Sequence, residues 1–263
     1  MLQFCSLYSG SSGNSLLVQS ENTKILIDVG ESGKKIENAL NNKNINISDI
    51  DAILITHEHT DHTKSLGTIS KKFNIPVYAN SKTWDAIGTI KEKIQKENKN
   101  EFNINETFEI GDIKISPFSI PHDAADPCGF NLTYNDKTIS IATDLGHIDY
   151  NLIKNLDESS FIFLESNYDL NILKCSKYPY MLKQRISGPK GHLSNDNAAK
   201  AISYLLSNGL NNVMLGHLSK ENNFPELAYQ TVFDEICTNN NFNENSFKLS
   251  VATRNEPSNI IDI

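Results

Sequence analysis

The stretch Ala52-Ile53-Leu54-Ile55-Thr56 followed by His57-Glu58-His59-Thr60-Asp61-His62 constrains this chain more than any other. Its first half is a continuous apolar run, the pattern of a strand buried on both faces. Its second half packs three of the chain's seven histidines and two carboxylates into six residues. A core rejects such a cluster, because unpaired ionisable groups carry a large desolvation cost. The pattern therefore predicts a stiff buried strand that delivers a polar cluster at its end, where loops from other strands converge. His57 and His59 alternate by two, so an extended exit turns both to one side. Asp61 and His62 belong to the following turn and reach a second position.

Three more polar residues fall just past predicted strand ends: His122, Asp144 and His217. Nitrogen and oxygen donors without thiolate suit zinc, manganese or iron, so divalent metal ions are the expected cofactor. The formal charge of -8, from 24 basic and 32 acidic residues, argues against a broad basic surface for duplex DNA. It does not exclude a nucleic-acid substrate, since bound divalent ions reverse the local field. The opening MLQFCSLYSG has no basic region followed by a long apolar run, and no window reaches membrane-span length. The expectation is a cytoplasmic protein with no membrane contact. Cys5, Cys128, Cys175 and Cys237 are widely spaced, which predicts free thiols, with Cys128 a small core residue.

Alternation and turn chemistry predict strands at 14–19, 24–28, 52–56, 77–78, 130–134, 138–142, 160–164, 213–215 and 248–252. Residues 107–110 and 113–118 read as a hairpin around a Gly-Asp turn. Helices are expected at 33–41, 64–73, 149–155 and 225–237, the last opened by Pro225, with 81–96 mostly helical. Another is expected at 195–206, with Asn195 as its cap. The Asn-rich runs at 41–44 and 239–241 read as polar loops. No linker, composition break or internal repeat is visible. The expected product is one α/β domain over 1–263, with two sheets packed together and helices outside.

The full set of ligands closely resembles the metallo-beta-lactamase fold superfamily, whose HxHxDH signature is matched by His57, His59, Asp61 and His62. Within it, the chain is most similar to the single-domain exonuclease-like group of Gram-positive bacteria, allied with RNase J and tRNase Z. The stretches that carry this are SGSSGNS (9–15), TDLGH (143–147), ESNYD (165–169), GHLSN (191–195) and LGHLSKENN (215–223). The likeness spans residue 1 to roughly 225. It implies a four-layer αββα sandwich with two metal ions. One ion would take His57, His59 and His122, and the other Asp61, His62 and His217, with Asp144 bridging. It also implies 5'-to-3' exonuclease activity on DNA, with nucleic acid as the partner; no obligatory protein partner is inferred. The stretch from Asp144 to His217 is too short for the extra domain that RNase J carries. The lysine-rich segment 81–106 is a candidate protruding lip for substrate.

Other residues acquire expected roles. SGSSGNS lacks the lysine and spacing of a Walker A loop, and Gly10 and Gly13 suit a tight connection between strands. The resemblance puts Ser12 and Asn14 beside the metals. Arg185, Lys190, His192 and Ser194 surround a helix start and form a candidate phosphate cradle. His192 is the candidate proton donor, while Asp61 or Asp144 accepts the proton of the attacking water. His147 is expected to support Asp144, and Glu165 to orient a histidine. Members of the group often have histidine where Tyr168 stands, which weakens a proton-transfer role for that loop. The rival readings are a hydrolase of cyclic phosphodiesters, thioesters or lactams, an RNA-processing nuclease, and a non-enzymatic scaffold with a relic site.

Overall fold

The computed structural model describes residues 1–240 and 247–263. Period-two alternation sets its layers. In β3 (Lys24–Ile27), Ile25 and Ile27 face one core and Leu26 another. In β11 (Phe161–Glu165), Phe161 and Phe163 share the core of Ile25, while Ile162 and Leu164 enter a third. A strand buried on both faces has no polar side to show, which is why these runs read as continuously apolar.

Along the chain, β1 (Gln3–Tyr8), β2 (Ser15–Gln19) and β3 lead to α1 (Gly33–Asn41) and β4 (Ala52–Leu54). Then come α2 (Thr60–Thr63), α3 (Leu66–Phe73), β5 (Val77–Ala79), α4 (Ser81–Ala86) and β6 (Lys99–Glu101). The second half holds β7 (Phe108–Ile110), β8 (Ile113–Ser119), β9 (Cys128–Tyr134), β10 (Lys137–Ala142), α5 (Tyr150–Leu156) and β11. It ends with α6 (Leu170–Cys175), α7 (Tyr180–Ile186), α8 (Asn195–Ser207), β12 (Asn212–Gly216), α9 (Pro225–Asn240), β13 (Lys248–Val251) and β14 (Ile261–Asp262).

Among the described residues two seven-stranded sheets form, ordered β14-β1-β2-β3-β4-β5-β6 and β13-β12-β11-β10-β9-β8-β7. In each, an antiparallel meander gives way to parallel strands, at β3–β4 and at β10–β11. The halves thus repeat a topology that their residues do not repeat, because a sheet demands alternation and not identity. The inner core holds Phe4, Phe130, Phe161 and Phe163 between the sheets. Ile36 and Leu40 of α1 and Ile69 of α3 cover the first sheet; α5, α8 and α9 cover the second through Leu152, Ile202 and Val232. This is the expected αββα sandwich.

Local expectations are corrected in four places. The segment 81–96 is not one helix: α4 stops at Ala86, Gly88 takes φ +64°, and two 3-10 turns follow. Trp84, Ile87 and Ile94 are buried there, so much of the expected lip is folded against the first sheet. Ser194, not Asn195, caps α8, because it has the extended backbone a cap needs and its hydroxyl accepts from Asn197 N. The helix α9 runs on through Asn239 and Asn240, while Asn241 lies outside the described residues. Strands β1, β6 and β14 and helices α6 and α7 were not anticipated. Among the described residues, no helix is long and apolar enough to cross a membrane.

Candidate metal centre

Five strands aim residues at one place. β4 leads into His57–His62, β8 into His122, β10 into Asp144, β11 ends at Glu165, and β12 leads into His217. The backbone that leaves β4 is clamped from both sheets: Ile55 N donates to Tyr78 O, and Cys128 N donates to Thr56 O. Among the described residues, four groups have donor atoms within 4.8 Å of one another: His57, His59 and His122; Asp61, His62 and His217; His57, His62 and Asp144; and Asp144, Glu165, His192 and His217. Asp144 Oδ2 lies 3.0 Å from His62 Nε2, and its Oδ1 lies 3.8 Å from His122 Nε2 and 3.5 Å from His217 Nδ1.

Seven non-glycine residues among those described have a left-handed φ. Four are asparagines; the others are Asp28, Asp144 and His217, at 61°, 57° and 54°. All three follow strand ends and belong to this centre. The left-handed turn swings each side chain off the strand axis toward the cluster, at a cost of about 1–2 kcal/mol per residue.

Carboxylates hold the histidines from behind. His62 Nδ1 lies 2.7 Å from Asp28 Oδ2, which also accepts from Thr56 Oγ1 at 2.8 Å. That hydroxyl is 3.0 Å from His57 Nδ1. Glu165 Oε1 lies 2.7 Å from His217 Nδ1 and 2.8 Å from His192 Nδ1, and its other oxygen accepts from Leu145 N and Leu193 N. His122 Nδ1 meets Gly191 O at 3.0 Å. Such partners fix ring orientation and direct the opposite nitrogen inward.

The SGSSGNS stretch is a brace. Asn14 N donates to Asp61 O, Gly30 N donates to Asn14 O, and His217 N donates to Ser9 Oγ. Asn14 Oδ1 accepts from Gly10 N, and its amide nitrogen is 3.1 Å from His62 Nε2. At Gly30 a Cβ would lie 1.6 Å from Asp61 O, so only glycine admits this approach.

Electrostatics show what the donors lack. Burial and the neighbouring His62 hold His57 well below its ordinary pKa, in the neutral form that ligates. Burial also opposes charge on His217, but Asp144, Asp61 and Glu165 overcome it and push its pKa up to about 10. His62 is raised well above the usual value for the same reason, by Asp28 and Asp144 against burial. Burial would raise Asp144, yet His217 and His62 hold it well below the usual carboxylate range. Buried negative charge is thus balanced by imidazole protons, a place that cations take when metal displaces protons. Asp144 Oδ2 and His217 Nε2 are buried and, among the described residues, face only other candidate ligands, His62 Nε2 at 3.0 Å and Asp61 Oδ2 at 3.8 Å, without hydrogen-bond geometry. These orphaned donors and the nitrogen-oxygen set fit divalent metal.

The other expected residues divide. His192 stands at the cluster with 23% of its side chain exposed. Glu165 raises its pKa against burial. Asn14 is buried in the brace, and the Ser194 hydroxyl is committed to its cap, so neither offers substrate an open polar group. Ser12 and Lys190 are exposed, and Arg185 is bound to Asp123 at 2.6 Å. His147 reaches Pro189 O at 2.8 Å and not Asp144, because the chain turns outward after Leu145. Asp28 and Thr56 were missed, although Asp28 follows an apolar strand just as Asp144 does.

A fold of two such sheets with HxHxDH at a strand end defines a class, and the chain belongs to the metallo-beta-lactamase superfamily, which it matches over residues 8–181. It is 40% identical over 233 residues to the exodeoxyribonuclease WalJ of Streptococcus pneumoniae, covering 88% of this chain and 87% of that one. It is 36% identical over 231 residues to the exodeoxyribonuclease YycJ of Bacillus anthracis, with 88% of each covered. The crystal structure of the metallo-beta-lactamase fold protein YhfI from Bacillus subtilis superposes with a TM-score of 0.71 at 14% identity. That match covers 98% of this chain and 99% of the other, and it speaks for fold alone.

Proposed function

We propose that this chain is a metal-dependent exodeoxyribonuclease that removes nucleotides from the 5' end of DNA. One observation carries the reading: the overlapping donor groups around Asp144 occur in a chain 40% identical to an exodeoxyribonuclease over most of its length. In this reading His57, His59 and His122 would hold one ion and Asp61, His62 and His217 a second, and Asp144, whose oxygens group with donors of both sets, would serve both. Bound divalent ions supply Lewis acidity, which lowers the pKa of a water and offsets charge on phosphoryl oxygens.

The chain's own residues do the rest. Asp28 and Glu165 fix the rings of His62 and His217 by their Nδ1 atoms, so binding needs little reorganisation. Asp61, whose side chain is 26% exposed, faces the open side and accepts the proton of the attacking water. His192 is held through Nδ1 by Glu165, which leaves Nε2 to protonate the leaving oxygen. No base-reading contact is required, so sequence preference is weak.

The test is digestion of 5'- and 3'-labelled single and double strands of DNA and RNA by protein loaded with zinc, manganese or iron. Stepwise mononucleotide release from the 5' end of DNA, abolished by chelator, is the expected result. Inertness toward all strands, with turnover of a cyclic phosphodiester or thioester, would overturn the reading.

A further inference from the structure

Between Asp169 and Asp196 the chain has no acidic residue and five basic ones, Lys174, Lys177, Lys183, Arg185 and Lys190, although the whole carries a charge of -8. This segment contains α6 and α7 and runs directly into the loop of His192. It also leaves apolar side chains in the open: Tyr180 is 72% exposed and Met181 74%. No residue of α7 is buried. Contiguous apolar surface rimmed by charge marks an interaction site.

The two helices enclose a groove of about 460 Å³, lined in part by Leu170, Leu173, Tyr178, Tyr180 and Lys174. The Tyr180 hydroxyl accepts from Gln184 Nε2 at 2.8 Å, so its ring is tethered while much of it stays open to solvent. Lys183 Nζ donates to Lys174 O at 2.7 Å and joins the end of α6 to α7. At the other end of α7, Arg185 binds Asp123, the neighbour of His122. Among the described residues, Arg185 alone of the five cations is paired with a carboxylate.

We infer that the α6–α7 surface is a platform for an unpaired strand of nucleic acid. Tyr180 stacks on a base, and Lys174 and Lys177 meet phosphates of the strand whose end lies at the metal centre. The inference rests on the nuclease reading above. An acidic protein needs a local positive track to hold a polyanion, and an open aromatic ring beside free lysines binds any base without reading it. An acidic peptide would match the charge but not the ring.

The experiment measures binding of a fluorescent phosphorothioate-linked 15-mer, which resists hydrolysis, to the metal-loaded chain. Tyr180→Ala should weaken binding roughly five- to a hundredfold, the scale of one lost base stack. Tyr180→Phe should keep most of it. Tyr204→Ala, at another exposed aromatic on α8, should change nothing. The pair Lys174→Ala and Lys177→Ala should flatten the slope of log affinity against log salt by about 1.4. On cleavable strands, Tyr180→Ala should raise KM and leave kcat. Wild-type affinity and KM in Tyr180→Ala would overturn the platform, as would displacement of the strand by polyglutamate as readily as by DNA. Strands cleaved with equal KM by both proteins sink the platform alone. Strands bound through Tyr180 but never cleaved sink the nuclease reading alone.

Discussion

Replacing Asp28 by Asn tests whether the carboxylate behind His62 sets the ligand nitrogen. Asn keeps the volume and tolerates the left-handed φ of 61°. Its carbonyl can still accept from Thr56 N, as Oδ1 does at 3.0 Å. The change falls on Oδ2, which faces the Thr56 hydroxyl at 2.8 Å and His62 Nδ1 at 2.7 Å. An amide nitrogen there meets two donors. His62 relieves the conflict by moving its proton from Nδ1 to Nε2, the nitrogen that should face metal. Loss of such a partner typically weakens metal affinity about 10–100-fold, roughly 1.4–2.8 kcal/mol. Competition against a fluorescent chelator, with thermal melting as the folding control, reads this directly. Asp28→Ala is less clean, since a left-handed alanine and unmet buried donors each cost about 1–3 kcal/mol of stability. Wild-type affinity for every bound ion in the Asn variant would refute the argument.

Three further outcomes are expected. Asp144→Ala should lower total metal content by more than His57→Ala does, measured by elemental analysis after dialysis; normal content in the Asp144 variant rules out a bridge. Gly30→Ala must push Asp61 O away from a Cβ only 1.6 Å off, and should lower the melting temperature by several degrees and loosen metal together; an unchanged melt contradicts the close approach. His192→Ala should retain metal while turnover on DNA falls by about 10²–10⁴; loss of metal in that variant would make His192 a ligand.

The fold was legible where burial was complete. Runs such as Phe161-Ile162-Phe163-Leu164 are hydrophobic on both faces, and nothing competes with a strand there. The HxHxDH cluster was legible because so many ionisable groups in one short run have few structural uses. Asp28 was not, since an aspartate after a strand is ordinary turn chemistry until its partner across the fold is seen. Helix α7 left no trace, because it buries no side chain and so has no apolar period. Strand β1 was hidden by Ser6, a fully buried hydroxyl residue that breaks the apolar run and whose backbone N–H pairs with Ser258, far away in sequence. The Pro189 contact of His147 is a tertiary fact that no local pattern shows, and Ser194 and Asn195 are both good caps in sequence, so only the backbone angles decide between them.

The left-handed backbone at Asp28, Asp144 and His217 sets a limit on engineering this protein. Glycine at any of the three would relax the main chain, so a search for heat resistance is drawn to positions whose side chains build the centre. Gains found there trade against activity. Asn44, Asn74, Asn105 and Asn135 share the conformation without touching the cluster, and they are where thermostability can be raised while the chemistry is left alone.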